Sequence, residues 1–333
     1  MDKDRIKELF RPTGVVWGRM EADPALCDGC GLCAKICPRK LWEIRDDELA
    51  HFNPERGCTS CHNCTVVCES KAITAAQRYH VADGFFRTET PLPLAQMPAE
   101  PRNAEGGPDQ FNEVERVVLE RRSVRNFKTD PVPETLIRRV LEAGRFAPSG
   151  VNCQPWRFMV IIDRAMLDEF AKAIRDEMKK LQAAYRNDQA LPMLAQMVES
   201  GSGPGPGLFD PRFVGTISNV VEGFLPVFLG APALILILVD ERAPSGLFTN
   251  AGIAGQNMCL VANSLGLGAC WSGLSYFINL IPELKNRIKL EHPWKVGFGM
   301  AIGCPAFQQN GMVPRDKRPV AWFRPGKIQP SEE

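Results

Sequence analysis

The sequence predicts an α+β protein in two parts, a small cysteine-rich unit ahead of a larger mixed domain. Three observations carry that reading. Eight of the twelve cysteines of this 333-residue chain fall between Cys27 and Cys68. A stretch rich in proline, glycine and alanine, "PLPLAQMPAEPRNAEGGP", follows at 91–108. Beyond it, segments with helical periodicity alternate with apolar runs of strand length. The boundaries expected are 18–90 for the cysteine unit, 91–110 for a semi-rigid linker and 111–330 for the α+β domain.

Composition narrows the partners. Forty basic residues stand against 39 acidic ones, a formal net charge of +1. That balance gives no bulk electrostatic case for nucleic acid or an anionic membrane. The N-terminal "MDKDRIKELF" has no apolar run followed by a cleavage site, so no signal peptide is expected. The most apolar stretch, "FLPVFLGAPALILILV" (224–239), is sixteen residues long and broken by Pro226, Gly230 and Pro232. A spanning helix needs about 20 apolar residues, so none is expected there. The expected location is the cytoplasm. There, thiols serve metal or redox chemistry and not structural disulfides.

The cysteine unit comes first. "CDGCGLCAKIC" (27–37) and "CTSCHNCTVVC" (58–68) both read C-x2-C-x2-C-x3-C. This spacing places three thiolates in one tight loop, able to hold three corners of one inorganic cube, while the fourth points away. Zinc sites usually pair two C-x2-C knuckles across a spacer, without a third cysteine at the same short step. Gly29 and Gly31 suit a loop whose amides approach sulfide. The segment from Gly18 to Thr90 resembles the bacterial-type ferredoxin with two 4Fe–4S clusters, including Pro38 after the first motif and Ala72-Ile73 after the second. The resemblance implies crossed ligation: Cys27, Cys30 and Cys33 with Cys68, and Cys58, Cys61 and Cys64 with Cys37. Glu69 stands where that family usually has proline, which concerns a turn and not a ligand. His62 reads as a solvated loop residue.

The α+β domain then runs in order. "FNEVERVVLERRSVRNF" has helical periodicity through Val114, Val117 and Val118. "PVPETLIRRVLEAGRFAPSG" predicts a second helix, with Pro133 and Glu134 at its start and a buried stripe of Leu136, Ile137, Val140 and Leu141. "RFMVIID" reads as a strand and "RAMLDEFAKAIRDEMKKLQAAY" as a long amphipathic helix. The segment 189–229, with "GSGPGPG" and Phe209, Phe213, Phe224 and Phe228, reads as a lid or a surface excursion. "ALILILVD" predicts a strand buried on both faces. "NAGIAGQNMCLVANSLGLG" predicts a helix whose Ala251, Gly252, Ala254, Gly255, Ala262 and Ser264 would suit close approach across a symmetric interface. "VGFGMAIGCP" is a further buried strand.

Three segments of this domain carry a second chemistry. In "RRSVRNF" (121–127) an arginine-serine-arginine spacing at a helix end can hold a phosphate and place a cation beside a ring. In "APSGVNCQPWRFMVI" (147–161) a loop of small and amide residues, with Asn152 and Gln154, runs into a strand. In "AGIAGQNMCLVANSLGLGACWSG" (251–273) a helix leads to a strand and a "WSG" turn. Taken in this order they resemble the nitroreductase family of FMN-dependent oxidoreductases, over about 111–325. The resemblance implies FMN contacts from Arg121, Arg122, Ser123 and Arg125, with Arg121 and Ser123 serving phosphate and ribityl and Arg125 the pyrimidine edge. It implies further contacts from Pro148, Ser149 and Asn152, often to the other subunit's flavin, and from Ser272 and Gly273 beside the central ring. Arg315 and Lys317, with Arg318 as an alternative register, match a basic phosphate-binding tail. Many members carry an acidic residue near the position of Ser272, and it is absent here. The implied assembly is an intertwined homodimer. Cys259 and Cys304 read as buried hydrophobes, and Cys153 and Cys270 flank the flavin segments.

The fusion implies an iron–sulfur flavoprotein reductase. Two one-electron centres would work in series with FMN to reduce a small organic acceptor such as a nitro compound, quinone, activated alkene or halogenated aromatic. The donor would be external, such as a ferredoxin or NAD(P)H. No G-x-G-x-x-G lies between a strand and a helix, so no separate nicotinamide domain is expected, although NAD(P)H can bind over a flavin directly. Two other readings stay open: reversed flow, with the clusters reducing a partner, and a redox sensor or electron carrier without turnover.

Overall fold

The computed structural model describes residues 15–55, 57–83, 87–88, 95–187, 189, 192–193, 196, 211–309, 311–325 and 331–332. The cysteine unit is built from short antiparallel pairs. β1 (Val15–Val16) pairs with β6 (His80–Val81), β2 (Arg19–Ala22) with β5 (Ile73–Gln77), and β3 (Trp42–Ile44) with β4 (Ala50–Phe52). Two five-residue helices, α1 (Leu32–Ile36) and α2 (Asn63–Val67), each carry the third cysteine of a motif. Met20, Ile36, Leu41, Trp42, Val67, Ala72 and Ile73 form a core that the cysteines themselves complete. A unit this small buries little apolar surface, so packing around the thiols is a large part of what holds it together.

The segment after it is more than a tether. Leu94 and the three residues before it lie outside the described residues, but β7 (Ala95–Gln96) pairs with β12 (Arg315–Asp316) near the end of the chain. Arg102 and Pro108 then bridge a tight turn in which Asn103 accepts from the Gly107 amide at 2.7 Å.

In the larger domain α3 (Glu113–Glu120) opens with a capping box between Asn112 and Glu115. It is followed by α4 (Glu134–Arg145), β8 (Trp156–Ile161), α5 (Arg164–Arg186), α6 (Pro211–Val221), β9 (Ala233–Asp240), α7 (Gly246–Ser264), β10 (Gly268–Ser272), a 3-10 turn at Gly273–Leu280, α8 (Pro282–Arg287) and β11 (Trp294–Gly303). The sheet runs β10-β11-β9-β8, antiparallel throughout. β9 is its spine. Leu234, Leu236 and Leu238 face α5, α6 and the 3-10 turn. Ile235, Ile237 and Val239 face α4 and α7. The period-2 alternation thus serves two cores at once, as the unbroken apolar run predicts.

Two expectations change. Part of the 189–229 segment is core, not lid: α6 buries Ile217 and Val220, and Val227 and Phe228 join the same cluster. Phe209 and the glycine-rich run at 201–207 lie outside the described residues. Four of the six small residues of α7 are also used inside the chain, while Gly252 and Ser264 are not. Ala251, Ala254 and Ala262 are fully buried, and a Cβ on Gly255 would meet the Trp271 ring at 2.2 Å. They let α7 lie close on its own sheet.

Candidate active site and cluster loops

The first flavin-type segment begins where α3 stops. Arg121 caps that helix through its amide to Val117 O, and its Nε is buried without a partner. Ser123 then forms a parallel bridge to Ala269 on β10, and Val124 N donates to Ala269 O at 3.1 Å. Gly268 is required for this approach, because a Cβ there would lie 2.7 Å from Val124. Arg121, Ser123 and Arg125 are gathered around β10 and α7. Burial pushes the Cys259 thiol up to about 12, with Arg121 opposing the shift. It pushes Cys270 up as well, against Arg125 and a hydrogen bond from Ser123. Both thiols are therefore protonated, inert parts of the wall. Cys153 is exposed on the second loop.

That second loop lies elsewhere. Val151, Asn152 and Gln154 all have positive φ, 47°, 55° and 45°, in a run that ordinarily favours glycine. Ser149 Oγ steadies the loop by accepting from Gln154 N at 2.9 Å. Asn152 is exposed, as is Pro148. Gly150 abuts Ser245, at the start of α7. The first segment approaches α7 near Cys259, about 20 Å along the helix from Gly246 at 1.5 Å per residue. One chain thus brings Arg121, Ser123 and Arg125 together and holds Pro148, Ser149 and Asn152 apart from them. Ser272 is buried at the end of β10 and accepts a hydrogen bond from the buried Ser275 hydroxyl at 3.2 Å, while Gly273 is exposed. Arg315 and Lys317 are exposed, and Asp316 between them pairs with Arg78 and Arg318.

Arg122 departs from the expected role. Its side chain is 7% exposed and turns into the cysteine unit, where Nη2 donates to Cys61 O at 2.7 Å and to Asn63 Oδ1 at 3.3 Å. Desolvation lowers its pKa to about 10, with Arg315 adding to the fall and Cys61 opposing it. Four residues on, Asn126 Nδ2 donates to Ile36 O at 2.9 Å. One short segment therefore touches both cysteine loops. A second strand of contact reinforces it: Phe127 bridges Pro305, Ala306 N donates to Asn126 O, and Phe307 packs into the cysteine-unit core.

The thiols fall into two neighbourhoods. Cys30 is influenced through space by Cys68, and Cys33 by Cys27 and Cys30. Cys64 is influenced by Cys61, Cys37 and Cys58. These proximities run across the two motifs, Cys30 with Cys68 and Cys64 with Cys37. Burial raises Cys33 and Cys58 to about 11 and raises Cys64 further. Among the described residues no three His, Cys, Asp or Glu side chains gather tightly enough for a single metal ion. His62 is half-buried, and burial, with Arg122, Arg315 and Arg78 nearby, lowers its pKa; it is not the solvated residue expected. Sequence reasoning also missed Asn126, Arg39 and Asn63. Each acts through tertiary docking, and no local pattern marks them.

A model of the nitroreductase family matches residues 118–304, more than half of the chain, and a 4Fe-4S binding domain model matches residues 20–40. An NADH dehydrogenase of Thermus thermophilus is 55% identical over 47 residues, 14% of this chain and 23% of that protein. A chloronitrobenzene nitroreductase of Comamonas testosteroni is 26% identical over 198 residues, 57% of this chain and 86% of that one. A nitroreductase of Bacteroides fragilis, solved with bound FMN, is 21% identical and superposes with a TM-score of 0.46 over 66% of this chain and 98% of that one. The chain is a member of the nitroreductase family, an oxidoreductase that carries a 4Fe–4S binding motif ahead of its α+β domain.

Proposed function

We propose that this chain is an FMN-dependent reductase supplied with electrons by two 4Fe–4S clusters, one held by Cys27, Cys30, Cys33 and Cys68 and the other by Cys58, Cys61, Cys64 and Cys37. The residues fit such groups. Asn63 Nδ2 and Arg122 Nε are buried donors without partners beside the second set, as hydrogen bonds to an accepting inorganic sulfide would require. Burial disfavours ionisation of Cys33, Cys58 and Cys64, and bound iron would supply the charge that makes them thiolates. Arg121 Nε is a further buried donor without a partner, at the segment expected to hold the FMN phosphate. When bound, the clusters move single electrons and FMN collects two for delivery to the acceptor.

The observation that carries this reading is the pair of hydrogen bonds from Arg122 and Asn126 to the two cysteine loops. Those side chains flank Ser123 and Arg125, so the residues expected to grip flavin are fixed in the same segment that grips the cluster loops. Arg121 and Arg125 would anchor phosphate and ring, and Ser123 is locked in place by β10. Pro148, Ser149 and Asn152 would serve the flavin of a second copy, because they lie at the far end of α7. The exposed apolar residues Val114 on α3 and Phe146 after α4, each 70% exposed, would be covered in that homodimer. The acceptor is a small organic molecule, for which a nitroaromatic is the first choice given the relative from Comamonas testosteroni.

Anaerobically purified protein should contain about eight iron and eight sulfide per chain and one FMN. Reduction by a low-potential one-electron donor should bleach cluster and flavin absorbance together and turn over a nitroaromatic. Zinc in place of iron would end the reading. Reduction of flavin by NADH ahead of the clusters would reverse the direction of flow.

A further inference from the structure

The two thiol sets differ in the charges around them. The set Cys37, Cys58, Cys61 and Cys64 is flanked by two buried cations. Arg122 reaches it from the α+β domain and donates to Cys61 O at 2.7 Å. Arg39, 8% exposed, lies over the Trp17 ring and acts through space on Cys58, Cys37 and Cys61. The set Cys27, Cys30, Cys33 and Cys68 has a carboxylate instead. Asp28 Oδ1 accepts from Cys30 N at 3.2 Å, and Asp28 acts on Cys30 with the same sign as a neighbouring thiolate. Access differs too. Cys30 is exposed, whereas the loop at Cys61 is covered by Arg122.

Adding an electron makes such a site more negative by one charge. A buried cation favours that change and an anion opposes it, and net charge and solvent exposure are among the factors that set cluster potentials. Resting on the reading above, we propose that Arg122 and Arg39 make the Cys37–Cys58–Cys61–Cys64 site the higher-potential, flavin-side station, and that Asp28 and the exposed Cys30 make the other site the lower-potential entrance. Electrons then run downhill from an external one-electron donor of low potential, through the Asp28 side, to the Arg122 side and on to flavin. Each transfer moves one electron and breaks no bond. Two transfers supply the two electrons of one acceptor reduction, and the two accompanying protons come from solvent. Arg122 is a positioning residue in this scheme: it fixes the potential and the docking of a site it does not ligate.

Potentiometric titration of the full-length holoprotein, followed by EPR, tests this. Two cluster signals should titrate separately, and Cys68→Ser should perturb the lower-potential one. Arg122→Gln keeps an amide donor near Cys61 O and removes the charge. It should lower the upper midpoint alone, shifting electron partition between the two sites about tenfold, or about 59 mV for a one-electron couple. Arg122→Lys should restore most of that shift. Asp28→Asn should raise the lower midpoint alone, and it stands as the test if Arg122→Gln fails to assemble. Midpoints that do not move, that move together, or that place the Cys68 set uppermost overturn the assignment. A protein without eight irons would instead overturn the underlying function.

Discussion

The motifs at 27–37 and 58–68 share a backbone and differ in nearly everything attached to it. Left-handed φ recurs at matched positions: 69° at Gly29 and 50° at Ser60, 70° at Gly31 and 58° at His62, 54° at Lys40 and 56° at Lys71. The last cysteine of each motif is extended, with φ of −67° at Cys37 and −78° at Cys68. The first motif meets this demand with glycine twice. The second uses Ser60, whose hydroxyl accepts from Tyr79 N at 3.2 Å, and His62, half-buried among arginines. Ligand spacing is thus a property of the backbone repeat. What surrounds each site comes partly from residues far away in sequence, because Arg122 and Asn126 reach one loop each.

The largest expected effect breaks the symmetry outright. Cys68→Ala should remove the cluster of the first motif and Cys37→Ala that of the second, each losing about four of eight irons. If either variant instead empties the site of its own motif, ligation is not crossed. Next comes Gly29→Ala. Its Cβ would lie 2.2 Å from Glu48 O at a left-handed position, so stability should fall by about 2–4 kcal/mol in thermal melts of the holoprotein. At Gly31 the added Cβ meets only Ile44 Cγ1 at 3.5 Å. Gly31→Ala should therefore cost about 1 kcal/mol, the backbone share alone.

Asn126→Ala sharpens the comparison from the other domain. It removes a neutral hydrogen bond to the first loop and should cost about 1 kcal/mol, read as a lower melting temperature of the cysteine unit. The smallest effect belongs to His62→Gly. Relief of the left-handed strain and the added freedom of the unfolded chain nearly cancel, leaving a change under about 0.5 kcal/mol.

Much of this was readable from sequence, for an identifiable reason. Three of the four thiols expected at each cluster are local in the chain, so C-x2-C-x2-C-x3-C exposes them directly. β9 was readable because a strand packed on both faces has no polar position to hide it. The split between Arg121 and Arg122 was not readable. Two adjacent arginines look alike until docking turns one toward β10 and buries the other against Cys61. The docking of Ala95–Gln96 was invisible as well, since its partner lies near the other end of the chain. α6 was lost in a segment whose glycine and proline drew attention from Ile217 and Val220, which hold it to the core.

The pairing of β7 with β12 has a consequence for biogenesis. Gln96 cannot meet Arg315 until roughly 220 further residues have been translated, on the order of ten to forty seconds at ordinary ribosome speeds. Arg122 and Asn126 also emerge after both cysteine loops. The nascent cysteine unit therefore spends that interval without its full set of contacts from the rest of the chain. Completion of the C-terminal segment then brings Phe307 and Asp316 onto the cysteine unit, so its last contacts form at the end of synthesis.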